Sequence, residues 1–167
     1  MNDKIWKVVL PLVGALFALW FFFGRGGGDA AEEARIRAML DEAVAAWEAQ
    51  DLDTFMSFFA RDFQSRSGGL SYGSLLLYHK RMFGPDHSFH AEVTNVHVSV
   101  SGDTATLTFD GRATGSRKDG SRFRIVGATE PVPIVIELRK VTTRGGLSHT
   151  WEAIRSTGLE EGYEGSW

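Results

Sequence analysis

The sequence predicts an α+β domain behind one N-terminal membrane-spanning helix, and three observations carry that reading. Residues 5–23 are almost wholly apolar, apolar side chains recur every three or four positions from Ala30 to Met82, and they recur at every second position from His90 to Arg155. Helices first and strands afterwards place three helices on one face of a curved antiparallel sheet. About 140 residues remain behind the apolar stretch, enough for one core and too few for two.

The stretch from Ile5 to Phe23 carries a single charge, Lys7. As a helix it is about 28 Å long, close to the thickness of a hydrocarbon core. Lys7 lies in its first turn, where the ammonium reaches the headgroups, and Trp6 and Trp20 lie near its two ends, where indoles settle. Gly14, Ala15 and Ala18 give it one small face for contact with another helix. A buried core helix would carry a polar stripe, which is missing, and a cleaved signal peptide would end at the weak small-x-small site Gly28-Asp29-Ala30. The expected organisation is a transmembrane anchor at 1–24, a glycine-rich hinge at 25–29, the domain at 30–157 and a flexible acidic tail at 158–167. Lys4 and Lys7 favour an N-in orientation, so the expected location is a bacterial inner membrane, single-pass, with the domain in the periplasm.

Charge separates the two parts. The net charge of −3 divides into a basic segment at 1–25 and an acidic remainder. Phosphate binding draws on surplus Lys and Arg, so no nucleic-acid partner is expected. The chain has no cysteine, which excludes disulfides and thiolate metal sites.

Along the domain, Ile36, Met39, Leu40, Ala43, Val44 and Trp47 mark a first helix from Ala30 to about Ala49, with Asp29 as its N-cap. Asp51 or Asp53 opens a second helix, whose apolar side is Leu52, Phe55, Met56, Phe59 and Phe63. Ser65 to Gly69 is a loop, and Ser71 caps a third helix that runs to about Met82. Strands follow at 90–100, with inward Ala91, Val93, Val96, Val98 and Val100 and an unsettled phase near Asn95, and at 104–114, with inward Ala105, Leu107 and Phe109. Asp119-Gly120 turns a hairpin into a strand at 123–128, Pro131 and Pro133 mark an irregular or edge segment before Ile134–Leu138, and a last strand at 148–155 carries Trp151.

The run Met39–Asp53, the following Phe58-Phe59-Ala60-Arg61-Asp62-Phe63, the turn Ser101–Leu107 and the strand around Trp151 resemble the nuclear transport factor 2-like superfamily, with its SnoaL-like and ketosteroid-isomerase-like domains. The resemblance covers about residues 30–157. It implies a cone in which the sheet wraps the first helix and leaves a pocket open at one end, and dimerisation through the open sheet face. It implies isomerases, dehydratases or cyclases among its enzymes, beside many non-catalytic domains and the membrane-anchored assembly proteins of bacterial secretion. Its enzymes hold an acid or a histidine inside the cone. Asp62 is nearest to the carboxylate that isomerases carry after the second helix, and the tyrosine of their first helix has no counterpart, Trp47 or Met39 taking such a position.

Candidate chemistry reduces to a few side chains. His79, with Tyr72 or Tyr78 near it, is a possible general base if it faces the cone. His87 and His90 have a spacing that can bring both near one ion, but no third ligand is fixed beside them; neither a metal nor another cofactor is expected. No nucleophile elbow, phosphate loop or His-Glu-x-x-His run is present. Arg112, Arg117, Lys118, Arg122 and Arg124 surround the Asp119-Gly120 turn, as a solvated hairpin tip or a surface for anionic lipid or an acidic partner. The expected function is a membrane-anchored, non-catalytic accessory or scaffold domain, its partners being the bilayer and other membrane protein subunits. The alternatives are a small-molecule-binding protein or enzyme working in the cone, and a secretion-apparatus assembly component.

Overall fold

The computed structural model describes residues 28–127, 130–142 and 148–159. The apolar stretch with Trp6, Lys7, Gly14, Ala15, Ala18 and Trp20, most of the hinge, and the tail beyond Leu159 lie outside the described residues. Among the described residues no helix is long and apolar enough to cross a membrane.

Among the described residues the first helix, α1, spans 28–48. Gly28 and Asp29 are already helical, so Asp29 is not its N-cap and the end of the expected hinge belongs to the helix. Ile36, Leu40 and Trp47 form its buried stripe. Gln50 ends the helix with a positive φ of 59°, and Asp51 caps α2 (Leu52–Ser57) by accepting from the Thr54 amide.

The expected second helix divides here. Its first part is α2, but Phe59 and Phe63 lie on a strand, β1 (Phe59–Ser65). The backbone gains partners by leaving the helix: β1 runs parallel to the last strand, and the Ala153 amide donates to the Phe58 carbonyl. Ser71 caps α3 (Tyr72–Met82) through a capping box with Ser74, as the sequence predicts for this start.

Five further strands follow: β2 (His87–Ser101), β3 (Thr104–Arg117), β4 (Arg122–Val126), β5 (Val132–Thr142) and β6 (His149–Thr157). The sheet order is β1-β6-β5-β3-β2, with β4 also on β3. The sheet is therefore mixed rather than wholly antiparallel, because β1 joins β6 in parallel. β3 is its spine: β2 pairs with it from end to end, while β5 takes the half up to Gly111 and β4 the half from Ala113 on.

Two local devices bend this surface. Asn95, at φ 54°, interrupts the pairing of β2 with β3 between Thr94 and His97. A bulge shifts the phase by one, so odd residues face the core before it and Val96, Val98 and Val100 face it after. Gly115 lets Phe123 cross the hairpin, since a Cβ at that position would stand 2.3 Å from the ring. Pro133 is tolerated inside β5 because it precedes Val135, where pairing with β6 begins.

Three side chains tie α1 and the turn after it to the free edge of β2. Arg37 donates to the Val96 carbonyl at 2.8 Å, Glu48 accepts from the Ala91 amide at 2.8 Å, and Gln50 donates to the His87 carbonyl at 2.8 Å. These bonds satisfy edge groups that would otherwise invite another strand.

Candidate functional site

Between the C-terminal half of α1 and the concave side of the sheet lies a cavity of about 140 Å³. Leu40, Trp47, Leu75, Phe109 and Ile134, all buried, form its depth, whereas Val44, Ala91, Val93, Ala113 and Leu159 are half-buried and mark its open side. The alternation of β2 and β3 puts their small and branched residues here, and their polar neighbours on the convex face. Glu92 and Arg112 also border the cavity, but the strand alternation turns their side chains to the convex face, where they pair with each other across the two strands.

Trp47, Phe55 and Phe59 stand in the cavity wall, so aromatic rings form a large part of its surface. The volume is near the roughly 150 Å³ of an apolar cavity that accepts a single benzene ring. It is smaller than the usual few hundred Å³ of an enzyme's small-molecule pocket.

His79 is brought to the core but not into this cavity. It is fully buried at 0% exposure. Nδ1 lies 2.8 Å from the Leu75 carbonyl, and so must donate, which leaves Nε2 to accept the Trp47 indole N–H at 3.0 Å. Phe55, Tyr78 and Phe83 surround the ring at centroid distances of 4.8, 5.4 and 5.2 Å. Burial pushes its pKa from 6.5 down to about 4, against the opposing hydrogen bond to Leu75. Both ring nitrogens are engaged, Nδ1 within α3 and Nε2 across to α1, so the expected general base is a neutral core histidine.

Tyr72 and Asp62 come together elsewhere, on the outer side, in a groove of about 680 Å³ between α2, α3 and the β1 side of the sheet. Arg61 stacks on the Tyr72 ring at 4.5 Å, and Arg139 grips both Asp62 oxygens at 3.0 and 3.1 Å. The hydrogen bonds from Arg139 hold the Asp62 carboxyl below the usual carboxylate range. Asp62 is thus an exposed, ion-paired acid pointing away from the cone interior.

The remaining predicted groups separate in the same way. His87 and His90 lie three apart on a strand, and so on opposite faces: His87 packs edge-on to Phe123, while His90 meets Glu48 at 3.0 Å. Among the described residues no group of three or more His, Asp or Glu side chains has a metal-binding arrangement. The basic cluster is partly neutralised. Arg112 pairs with Glu92, Arg117 lies 4.8 Å over the Phe123 ring and Lys118 stands 3.7 Å from Asp86. Arg122 and Arg124 are exposed on β4.

One cluster was not read from the sequence. Glu32, in the first part of α1, keeps only 13% of its side chain exposed and accepts from Trp151 Nε1 at 2.8 Å. His149 Nε2 lies 2.9 Å from the same carboxylate and 2.8 Å from Arg35, and can serve one of them at a time. Lys140 stands 3.8 Å away. Burial pushes the Glu32 carboxyl up, but the hydrogen bonds from His149 and Trp151 and the nearby positive charge outweigh it, and its pKa falls. In sequence Glu32 is one of two acids in a helix's first turn; apart from Arg35, its partners on β5 and β6 are more than a hundred residues away, and no local pattern joins them.

No protein-family profile matches the chain, and no curated protein matches it. Solved structures do match its fold. A protein of Novosphingobium aromaticivorans, provisionally named an aromatic ring hydroxylase, is 20% identical, with 77% of this chain and 87% of that one covered and a TM-score of 0.61. A conserved protein of Planctomyces limnophilus is 14% identical over 76% of this chain and 94% of its own, also with a TM-score of 0.61. A ketosteroid isomerase-like protein of Erwinia carotovora atroseptica is 18% identical over 75% and 92%, with a TM-score of 0.50. At such identities the likeness concerns the fold: the domain has the nuclear transport factor 2-like, SnoaL-like cone fold.

Proposed function

We propose that the chain is a membrane-anchored binding domain whose cone takes up one small apolar, ring-sized molecule. The cavity carries this reading: its volume of about 140 Å³ and its lining of Trp, Phe, Leu, Ile and Val side chains suit an unsubstituted or lightly substituted ring. The side chains of Glu92 and Arg112, which border the cavity, pair with each other on the convex face, and buried His79, which bonds to the wall residue Trp47, is occupied on both nitrogens. Binding rather than acid–base catalysis follows from those two facts. The test is saturable binding of benzene, toluene and p-cresol to the purified protein in lipid nanodiscs. Ala113→Leu, which adds bulk at the rim, is expected to abolish it while the thermal transition is retained. Equal binding by that variant would place the ligand elsewhere and end the proposal.

The anchor belongs to the same reading. The apolar run at 5–23 is separated from α1 by a few residues, which keeps the domain close to the bilayer. The intact protein should stay with membranes through carbonate washing. A second reading, an accessory domain docked on another membrane protein, is favoured by Arg122 and Arg124. The β3–β4 hairpin lies beside the C-terminal end of α1, because Gln50 binds His87 and His87 pairs with Arg117. That is about 30 Å along the helix from residue 28, a distance that suits an acidic protein surface better than the lipid next to the anchor. Loss of a co-purifying subunit on reversing both arginines would support it, and unchanged recovery would remove it.

A further inference from the structure

A second recess, of about 270 Å³, opens between another stripe of α1 and the start of β6. Met39, Phe58 and Trp151 make its apolar wall, and Arg35 and Glu42 stand along its α1 side, two turns and about 10 Å apart. His149 borders the Arg35 end. None of these six residues lines the cone cavity. At the Arg35 end three groups meet that cannot all be satisfied. His149 Nε2 lies 2.8 Å from an Arg35 nitrogen and 2.9 and 3.0 Å from the two Glu32 oxygens, and Arg35 itself reaches Glu32 at 3.1 Å. If Nε2 carries a proton, it donates to Glu32 and sets its N–H against those of Arg35. If it carries a lone pair, it accepts from Arg35 and turns that lone pair on the carboxylate. Either state leaves one short contact repulsive. Arg35 is the group able to leave: its side chain is 58% exposed, while Glu32 is 13% exposed and is also held by Trp151 at 2.8 Å.

We propose that this recess binds a small carboxylate with an apolar body, which takes the Arg35 guanidinium from His149. The acid group pairs with Arg35, the one fixed cation among the described lining residues, through two charge-assisted hydrogen bonds, and the hydrocarbon covers Met39, Phe58 and Trp151. Glu42 stands about one Debye length from that pair, where its repulsion is largely screened. Proton uptake by His149 favours the same state, since an imidazolium donates to Glu32 and repels Arg35. The charged groups facing the ring are Glu32 and Arg35 of α1, with Lys140 of β5 at 3.8 Å from the Glu32 carboxylate, and of these Arg35 alone changes partner. Ligand and proton therefore strengthen each other's binding. This site is independent of the ligand reading for the cone.

Calorimetric titration of sodium hexanoate into the full chain in lipid nanodiscs tests this, with hexanamide as the uncharged control and empty nanodiscs as the blank. Saturable binding is expected at pH 6, severalfold tighter than at pH 8 and no steeper than about tenfold per pH unit, the limit for one linked proton. Hexanamide should bind severalfold more weakly. Arg35→Gln should abolish binding, Arg35→Lys, which keeps the charge but not the fork, should retain part of it, and Ala113→Leu, at the cone rim, should leave it unchanged. His149→Gln keeps a donor for Glu32 at every pH, and should bind at pH 8 as the wild type does at pH 6. Absence of saturable binding at pH 6 overturns the inference. Equal binding by Arg35→Gln, or loss in Ala113→Leu, also overturns it, because hexanoate would then sit elsewhere. So does a wild-type pH dependence retained in His149→Gln, since another group would then carry the proton.

Discussion

The two ends of α1 are fastened to the rest of the domain by the same residue types in opposite environments. At the C-terminal end Trp47 donates to His79, and the pair is sealed among Phe55, Phe83 and Phe89. At the N-terminal end Trp151 donates to Glu32, and His149 stands beside the same carboxylate with Arg35 and Lys140 within reach. One tryptophan–histidine cluster excludes charge and the other is organised by it. Residue type alone does not set a histidine's role; the acceptor it finds, and the water it loses, do.

The largest expected effect breaks the sealed end. Trp47 is 6% exposed, lines the cavity and satisfies His79 Nε2. Trp47→Ala removes a core ring and leaves a buried acceptor, and is expected to cost about 3–5 kcal/mol, measured by urea unfolding. A loss under about 1 kcal/mol would mean that the ring is not part of the core.

Acid separates the two ends next. The folded pKa of His79 is about 4, below its ordinary 6.5, so the unfolded chain takes up a proton first as pH falls. The stability contributed by keeping His79 neutral is complete above pH 6.5 and drains between 6.5 and 4, by up to about 3 kcal/mol. Glu32 behaves in a lower window: its folded pKa is depressed from 4.5, so its contribution is present above 4.5 and is lost as pH falls through the depressed value. Unfolding free energy measured from pH 7 to 4 should therefore slope in the wild type and flatten in His79→Leu. An unchanged slope would assign the titration to another group.

Glu32→Ala attacks the charged end. It leaves the Trp151 indole N–H without its acceptor and removes the anion beside His149 and Lys140. A loss of about 1–3 kcal/mol is expected, smaller than at Trp47 because the vacated groups are partly reached by water. Glu32→Gln, which keeps an acceptor, should recover part of it. Equal losses in both variants would show that charge, rather than the hydrogen bond, holds this end.

The sealed end was partly legible in the sequence and the charged end was not. Periodicity marked Trp47 as inward, and Ser71 and the Leu75, Leu76, Tyr78 and Met82 pattern located α3, because helix signals are local. Alternation found β2 and β3, and the break at Asn95 marked the bulge where the inward phase changes. Phe59 and Phe63 misled because their spacing of four suits a helix and equally suits a strand; partnership with β6 decided between them. Tyr72 and Asp62 also drew attention, yet they belong to the outer groove, since the face a strand acid points to depends on a register that sequence does not carry. Glu32 joins α1 to β5 and β6, and such a contact has no spacing rule.

The smallest expected effect tests a third histidine, which has a carboxylate neighbour but neither burial nor a network. His90 meets Glu48 at 3.0 Å with 79% of its side chain exposed. Solvent screens such a contact, and even a fully charged pair at this exposure contributes between nothing and about 1 kcal/mol. Glu48, however, also accepts from the Ala91 amide at 2.8 Å, on the free edge of β2. His90→Ala leaves that bond in place and is expected to shift the urea midpoint by less than Glu48→Ala, which strips the edge donor as well. Were His90→Ala the costlier of the two, the exposed side-chain contact would outweigh the backbone bond, and exposure could no longer rank the histidines of this domain.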